Sequence, residues 1–274
     1  MSVVFTAHNI RLDDGTCTKP DEPVTMESYP WFLAARRVLD SVFPGDKSAL
    51  RLADLGCLEG GYAVEFARLG FQTLGVDVRA SNLAACEYVR ARTNLPNLKF
   101  REDDVLNIAA HGEFDAVFCC GLLYHLDHPR RFLEMLGRIT RRVVIIQTHF
   151  SVGHSAARLP LTPGLRRRWA RMFRCGSSPY RLSRLTTHEG LEGQWYTEFA
   201  RDEEFAHRED ARWSSWDNRR SFWIRREHLV QAIHDAGFDF VAEDFDPLGP
   251  QIGTSMTSDH YHEHQRGMFV GIRR

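Results

Sequence analysis

The chain has 274 residues, of which 43% are hydrophobic and 26% are charged, and its formal net charge is −1. This composition is typical of a soluble globular protein with one large domain, or with one domain that carries a sizeable insertion. The near-neutral charge excludes a strong overall field that would attract nucleic acid or a membrane surface, and no apolar run reaches the roughly 20 residues that a membrane helix needs.

Strands and helices are predicted to alternate through the first half of the chain. A helix over 29–42 packs on the core within an N-terminal extension, residues 1–50. Strands are then predicted at 51–55, 73–77, 98–101, 114–120 and 142–148, with helices at 60–69, at 81–93 with Ser81 as its cap, and from Pro129 onward. This alternation predicts a parallel sheet with right-handed crossovers.

The alternation breaks over residues 151–220 and resumes beyond them. A helix is predicted at 224–236, followed by strands at 238–245 and 268–272 with no helix between, so these two strands pair antiparallel. We therefore expect a domain formed by residues 51–150 and 221–274, interrupted by an insertion at 151–220 that caps the substrate.

The most informative stretch is the turn that follows the first predicted strand. Asp54 ends that strand, Gly56 and Gly60 follow in the turn, and Asp77 ends the second strand. A carboxylate at position 54 repels a pyrophosphate and attracts a ligand that carries an ammonium and a sulfonium. Because Gly56, Gly60 and Gly61 do not have the G-x-G-x-x-G spacing, the turn argues against a nicotinamide dinucleotide.

These features resemble the class I S-adenosylmethionine-dependent methyltransferases over residues 51–150 and 224–274. In this chain the family's acid-x-Gly-x-Gly-x-Gly motif has Leu58 in place of the middle glycine. The resemblance implies an α/β, Rossmann-like, seven-stranded doubly wound sheet with a C-terminal antiparallel hairpin. It also implies S-adenosyl-L-methionine as cofactor.

The resemblance also implies roles for particular residues. Asp54 lies near the methionine ammonium, Asp77 accepts both ribose hydroxyls, and Asp104, with Asp103 as its rival, contacts the adenine. The full set of cofactor-binding candidates is Asp54, Gly56, Cys57, Glu59, Gly60, Asp77, Val78, Asp103, Asp104, Val105, Gly121 and Leu122. The alternative for the acids is local: Asp54 as a helix N-cap, and Asp103 and Asp104 as solvated loop residues.

Three residues after the fourth and fifth strands are the candidates for catalysis. Ligands bind at the carboxyl edge of an open parallel sheet, and methyl transfer to a hydroxyl needs a base near neutral pH, for which histidine is suited. We expect His149 to be the general base, with His125 and Tyr124 shaping the site; His154 lies slightly beyond. A packing role for His149 is the alternative.

Alternating histidines near the C-terminus raise the question of a metal. His260, His262 and His264 would share one face of a strand-like segment, as metal ligands can, but such a tract is more often an exposed polar loop. We therefore expect no metal.

The insertion carries two patterns that each allow two interpretations. Its arginines could form a groove for an anionic substrate or a solvated helix face; they are Arg166, Arg167, Arg168, Arg171, Arg174, Arg181 and Arg184. Residues 188–198 and 213–223 mix aromatic with hydrogen-bonding side chains, which is typical of pockets for carbohydrates or polar natural products and also of a packed cap.

The cysteines predict a reducing, cytoplasmic environment. Six cysteines occur without a C-x-x-C pair, and several lie in apolar runs as buried free thiols do. The N-terminus has no basic start followed by an apolar core, so we expect no signal peptide.

The leading hypothesis is an O-methyltransferase of a small hydroxylated molecule such as a sugar, glycoside or natural product. An alternative is a transfer-RNA wobble-uridine modifying enzyme, because the segment from Gly121 to His125 is similar to that family's Gly-x-Leu-Tyr-His. A second alternative is a non-catalytic cofactor-binding scaffold, which only Leu58 supports. We expect a small-molecule partner, no nucleic acid and no membrane, and the sequence is compatible with a homodimer.

Overall fold

The computed structural model describes residues 3–152, 162, 164–165, 168, 180, 182–257 and 264–274. Its first half contains α1 (Pro30–Val42), β1 (Arg51–Leu55), α2 (Gly61–Arg68), β2 (Gln72–Asp77), α3 (Ala80–Arg90), β3 (Leu98–Glu102), β4 (Phe114–Cys120), α4 (Pro129–Ile139) and β5 (Thr140–His149). Its second half contains β6 (Thr186–His188), β7 (Leu191–Thr197), α5 (Asp202–Ala206), β8 (Arg220–Ile224), α6 (Arg226–Asp235), β9 (Phe240–Asp244), α7 (Ile252–Thr257) and β10 (Arg266–Ile272).

The main sheet has seven strands in the order β3-β2-β1-β4-β5-β10-β9. The first five are parallel, and β10 runs antiparallel to both β5 and β9. The predicted doubly wound sheet with its C-terminal antiparallel hairpin is confirmed. The strand order reverses between β1 and β4, and ligands of such sheets bind beyond the carboxyl ends of the strands at this point.

Most predicted element boundaries agree with the structure, and two local predictions are wrong. The first and fourth strands have the predicted ends, whereas Ser81 is not the cap of α3: that helix begins at Ala80, and the Ser81 hydroxyl donates to Glu209. The helix predicted from Ile224 begins at Arg226, because Ile224 is the last residue of β8.

The N-terminal extension packs on the core through α1, as predicted. Phe32 and Leu39 of this helix are buried, and the ring of Phe32 lies 5.8 Å from that of Phe66 on α2. The helix begins with Pro30 at its first position, where a proline costs no hydrogen bond. The extension is therefore part of the core.

A second, three-stranded antiparallel sheet has the order β6-β7-β8. It contacts the loop after β4 directly, since the Phe222 N–H donates to the Leu126 carbonyl (2.9 Å) and the Trp223 indole donates to the Tyr124 carbonyl (3.0 Å). Phe222 and Trp223 are both buried. This sheet thus places its residues beside the carboxyl edge of the main sheet.

Among the described residues, no helix is both long enough and apolar enough to cross a bilayer.

Gly137 permits the closest approach between α4 and the end of α6. A Cβ at this position would lie 2.0 Å from the Ala236 carbonyl oxygen. The Arg273 guanidinium donates to the carbonyls of both Gly137 and Ala236. We expect Gly137→Ala to lower the free energy of unfolding by about 1–3 kcal/mol, because the two helices must separate. Urea unfolding followed by circular dichroism measures the change.

Gly253→Ala is the matched control, because this helical glycine has no atom within 4 Å of an added Cβ. It should leave stability unchanged or raise it slightly. Equal effects of the two substitutions would contradict the close-packing explanation.

Candidate functional site

A cavity of about 240 Å³ lies at the carboxyl edge of the main sheet. Its walls come from the N-terminal segment, the loops after β1, β2, β3 and β4, and residues 212–217 between β7 and β8. The predicted site residues that line it are Gly56, Asp77, Val78, Asp104, Val105, Gly121, Leu122, Tyr124 and His125. The sequence-derived candidates from four separate loops therefore meet in one place.

Asp77 is a cavity carboxylate with three hydrogen-bond donors. It accepts hydrogen bonds from the Leu58 N–H (2.9 Å), the Arg79 N–H (3.0 Å) and the Asn82 amide (3.1 Å). Burial raises the pKa of Asp77, and these three donors partly offset that shift. The side chain is thus held in one orientation by the loop before it and by the start of α3.

Leu58 has a left-handed backbone, with φ of 51°. This conformation is natural for glycine and costs other residues of the order of 1–2 kcal/mol. It aims the Leu58 N–H at Asp77 and lets the side chain line the cavity. The leucine thus adopts the backbone conformation that a glycine would provide at this position.

Asp54 lies behind the turn and is not among the residues that line the cavity. Only 1% of it is exposed, and within the described part of the chain its Oδ2 has no hydrogen-bond partner. Burial raises its pKa to about 8, although the Ala63 N–H at the start of α2 opposes the shift. A buried carboxyl group without a full set of donors is one that a cation or a water molecule would stabilise.

The other candidates in this turn face away from the cavity. Glu59 accepts hydrogen bonds from the backbone N–H groups of residues 6–8, and although burial alone would raise its pKa, these bonds lower it. A Cβ at Gly60 would lie 2.7 Å from the Phe100 ring, and the Cys57 thiol lies 3.9 Å from that of Cys86. These residues fix the shape of the turn.

His8 is a cavity residue that the sequence analysis missed. Its Nδ1 accepts the Gly61 N–H (3.0 Å), and burial lowers its pKa to about 4, although Glu59 opposes this shift. It is therefore a neutral imidazole whose other nitrogen carries the proton. The sequence analysis placed His8 in the N-terminal extension and gave it no role, because no motif surrounds it.

Asp103 and Asp104 have different surroundings. The Asp103 side chain accepts from the Asp104 N–H and the Asn107 amide, and its other oxygen contacts the His111 ring at 2.8 Å. Asp104 lines the cavity and accepts one bond, from the Leu106 N–H. Of the two rivals, Asp104 is the one placed to meet a ligand.

Arg79 holds the segment that covers the cavity. Its guanidinium donates to the backbone carbonyls of Arg208, Ala211, Ser214 and Ser215. It also lies 5.3 Å from the Trp216 ring, a cation–π contact. Since Arg79 follows Asp77 by two residues, the loop that orients the carboxylate also anchors the cover.

His125 and Glu198 form a buried pair on the cavity wall. The His125 Nδ1 lies 2.8 Å from Glu198 Oε1, and only 1% of the glutamate side chain is exposed. The glutamate also accepts from the Ser221 hydroxyl (2.7 Å) and the Ser215 N–H (3.3 Å). With Nδ1 donating to the carboxylate, Nε2 of His125 is the nitrogen that can accept a proton.

His149 lies outside the described cavity lining, on the far side of Tyr124. Its ring stacks on Trp223 at 4.8 Å, and its Nδ1 donates to the carbonyls of His264 and Gln265 at 3.1 Å. Burial, and secondly the charge of Arg266, lower its pKa to about 3. Such an imidazole is a weak base.

Tyr124 and Arg266 complete this side of the cavity. Burial raises the pKa of Tyr124 to about 12, so its hydroxyl remains protonated. Arg266 donates to the Gln147 side chain (3.1 Å) and supplies a positive charge to the wall. Sequence analysis did not single out Arg266, which opens the last strand.

Several predicted residues lie outside the described part of the chain. They are His154, His260, His262 and the insertion arginines 166, 167, 171, 174 and 181. Arg168, Arg184 and His264 are described and do not line the cavity.

Comparison with known proteins finds a family match over the segment that runs from β1 to β5, the five parallel strands. Residues 53–146 match the model of the Methyltransf_11 family, described as a methyltransferase domain. The ubiquinone biosynthesis O-methyltransferase of Albidiferax ferrireducens is 35% identical over 93 residues, which is 33% of this chain and 37% of that protein. The protein of the same name from Rhodopseudomonas palustris is 34% identical over 86 residues, 31% of this chain and 34% of that protein. The alignments thus span about a third of these relatives.

Solved structures share the fold over most of the chain. The N-terminal domain of EvdMO1, solved in the presence of SAH and D-fucose, aligns over 97% of this chain and 90% of that one, with a TM-score of 0.63 and 23% identity. The same domain with SAH bound gives a TM-score of 0.59 and 24% identity over 89% of this chain and 81% of that one. Residues 53–146 therefore match a methyltransferase domain, and the predicted class I fold is confirmed.

The burial of Asp54 predicts a pH dependence of stability. In the unfolded chain this carboxyl group loses its proton near pH 4, whereas in the folded protein it keeps the proton up to about pH 8. Because the unfolded state binds fewer protons in this window, the free energy of unfolding should fall as pH rises from 4 to 8. Asp54→Asn should remove about 1–3 kcal/mol of that fall.

Urea titrations of the ligand-free wild type and Asp54→Asn at pH 5 and pH 8, followed by tryptophan fluorescence, measure how the free energy of unfolding of each changes with pH. Parallel pH dependences of the wild type and Asp54→Asn would contradict a protonated, buried Asp54.

Proposed function

We propose that this protein is an S-adenosylmethionine-dependent methyltransferase that methylates a hydroxyl group of a small molecule, with His125 as general base. The observation that carries the proposal is one cavity, at the switch point of a methyltransferase domain, that contains both the fixed carboxylate of Asp77 and the His125–Glu198 pair. The Asp77 carboxylate suits a ribose diol, and the His125–Glu198 pair suits removal of a proton from the substrate.

The described residues fit S-adenosyl-L-methionine. Asp77 faces the cavity and can accept from two hydroxyls, and Asp104 with Val105 and Leu106 offers a carboxylate beside an apolar wall for the adenine. The unpaired Oδ2 of Asp54 lies behind the Gly56 turn, where it can stabilise a cationic group directly or through water. When bound, the cofactor supplies a methyl group activated by a sulfonium.

His125 is better placed than His149 to act as base. It lines the cavity, and Glu198 fixes its tautomer and stabilises the imidazolium that forms when it takes a proton. His149 does not line the cavity, and its lowered pKa makes it a poor proton acceptor. We therefore assign the role first expected of His149 to His125, with Tyr124 shaping the site.

The relatives support oxygen as the acceptor atom. The matched curated proteins are named ubiquinone biosynthesis O-methyltransferases, and the EvdMO1 domain was solved in the presence of a sugar, D-fucose. The pair of His125 and Glu198 suits such an acceptor, because a hydroxyl must lose its proton as it is methylated. We propose a sugar, a glycoside or a phenolic natural product as the substrate.

We propose that the insertion, residues 151–220, acts as the substrate cap. Its residues 212–217 line the cavity, and Trp213 among them is 62% exposed. An exposed indole at the mouth of a cavity can pack against the face of a sugar or an aromatic ring. The Arg79 contacts keep this segment over the cavity.

Asp77→Asn should weaken SAH binding about 10- to 100-fold, because a hydrogen bond to a charged acceptor is worth about 1.5–3 kcal/mol. Isothermal titration calorimetry with SAH measures the change, and circular dichroism checks the fold. Asp103→Asn is the matched control: this acid also follows a strand at the same edge but is bonded to its own loop, so SAH affinity should stay the same. Equal losses in both variants would contradict the assignment of Asp77.

His125→Gln should lower kcat by about 10²–10⁴ while leaving SAH affinity nearly unchanged, because general-base catalysis contributes this much. Glu198→Gln should also lower kcat, since an amide does not stabilise the imidazolium. His149→Gln should lower kcat far less than His125→Gln does. A larger loss of kcat in His149→Gln than in His125→Gln would return the role of base to His149.

The activity itself is tested with methyl-labelled S-adenosylmethionine and a panel of sugars, glycosides and catechols, with transfer RNA as a further acceptor. Label in a small hydroxylated compound, lost in His125→Gln, supports the proposal. Label only in RNA, or no cofactor binding at all, overturns it.

A further inference from the structure

A cluster of two histidines and one glutamate lies where the β6–β7 turn meets the start of α4, and none of its residues lines the cavity. One ligand atom from each of His128, His188 and Glu189 lies within 4.8 Å of the other two. We call these three residues the His–Glu cluster. Imidazole nitrogens and a carboxylate oxygen are the ligands of Zn²⁺ sites in which water takes the fourth position.

We propose that the His–Glu cluster binds one Zn²⁺ ion and thereby ties the second sheet to the methyltransferase domain. The cluster draws its ligands from both parts: His128 precedes α4 of the domain, and His188 and Glu189 belong to the β6–β7 hairpin.

The His188 ring is held in one orientation by its surroundings. Its Nε2 donates to the Asp127 carbonyl (2.9 Å), so the lone pair of the neutral ring is on Nδ1. The ring packs against Trp195 at 4.8 Å and Phe222 at 5.2 Å, which restricts its rotation. A bond from the second ring nitrogen to a backbone carbonyl is what fixes the tautomer of ligating histidines in metal sites.

Glu189 also has a side chain that is restrained by its contacts. It occupies a two-residue turn with Gly190 in which both residues have positive φ, 51° and 75°, a conformation that disfavours glutamate. Its Oε2 accepts the Arg130 N–H (2.9 Å), and its Oε1 lies 3.3 Å from His128 Nδ1. One carboxylate oxygen is thus anchored while the other points to the neighbouring ring.

His128 is the adjustable member of the cluster. Its side chain is 55% exposed, so it can move to complete a coordination shell, and its Nε2 lies 3.8 Å from Asp127 Oδ2. The carboxylates of Asp127 and Glu189 make the surroundings of His128 favourable for a cation. The nearby Arg130 guanidinium has its own anion, Asp235, at 4.0 Å.

The position of the cluster gives the ion a mechanical role. The strand β7 is bound to the loop after β4 at both ends: Glu198, just beyond its last residue, contacts His125, and Glu189, before its first residue, contacts His128. An ion at the second contact would hold the strand whose far end positions Glu198.

The test uses the full-length protein, freed of metal with a chelator and then titrated with ZnCl₂ by calorimetry. We expect one high-affinity Zn²⁺ per chain and a rise in the melting temperature on addition of the ion. His128→Ala and Glu189→Gln should each weaken Zn²⁺ affinity at least about tenfold, as changes around metal ligands do. His207→Ala, another exposed histidine between β7 and β8, is the matched control and should bind Zn²⁺ as the wild type does.

SAH affinity measured with and without Zn²⁺ separates this proposal from the proposed function, because the cluster lies outside the cavity and SAH binding should persist without the ion. The proposal is overturned if the wild type takes up no Zn²⁺. It is also overturned if His128→Ala and Glu189→Gln bind Zn²⁺ as tightly as the wild type, which would place the ion elsewhere on the chain.

Discussion

The carboxylate of Asp77 is the constraint on which the rest of the site depends. Three donors converge on it, one from the turn after β1, one from the loop after β2 and one from α3. Bonds to a buried charged acceptor are about twice as strong as neutral ones, and breaking any of them leaves the charge less compensated. The geometry of two loops is therefore set by a single side chain, and the unusual backbone of Leu58 is maintained because its N–H is needed there.

The loop after β2 also anchors residues 208–215, the segment that covers the cavity. The Arg79 backbone N–H donates to Asp77 and its guanidinium donates to backbone carbonyls within residues 208–215, so the loop after β2 and the segment over the cavity share one anchor. Ser215 in turn donates to Glu198, which holds His125. A continuous chain of hydrogen bonds thus leads from Asp77 at the end of β2 to His125 after β4, by way of Ser215, which lies 138 positions after Asp77.

The sequence predicted the main sheet well because its signals are local. Buried β-branched strands such as β5, and turns that carry glycine after an acid, depend on residues that are neighbours in the chain. Asp77 and Asp104 could be predicted to lie at one edge because Asp77 ends a strand and Asp104 follows one, and the structure places both in the cavity lining. By contrast, the second sheet has short strands without a clean period, and Ile224 was assigned to the following helix because its apolar character suits either element.

The partners of the catalytic candidates could not be predicted in the same way. Glu198 is 73 positions from His125, and nothing in the local pattern of either residue indicates that they meet. His149 is the last residue of β5, but its pKa depends on burial, to which the stacked Trp223 ring contributes, and on the charge of Arg266, and both residues approach it only in the folded chain. Burial decides whether a histidine is a base or a packing residue, and burial is a property of tertiary structure.

The electrostatics of the cavity limit the ligands that it can accept. Asp54 and Asp77 are both buried beside one turn, and burial raises the pKa of each, with the charge of Asp77 raising that of Asp54 further. The cationic residues among the described lining are Arg79, Arg212 and Arg266, and the Arg79 guanidinium already donates to the backbone carbonyls of residues 208–215. A pyrophosphate here would bring further negative charge against carboxylates in a medium of low dielectric constant, where repulsion is strong. The proposed cofactor has a cationic centre and a neutral sugar diol, so it would favour the ionised form of Asp54 and could donate hydrogen bonds to Asp77. The selectivity of the turn therefore follows from which charges the fold has buried, and the glycines only provide the space.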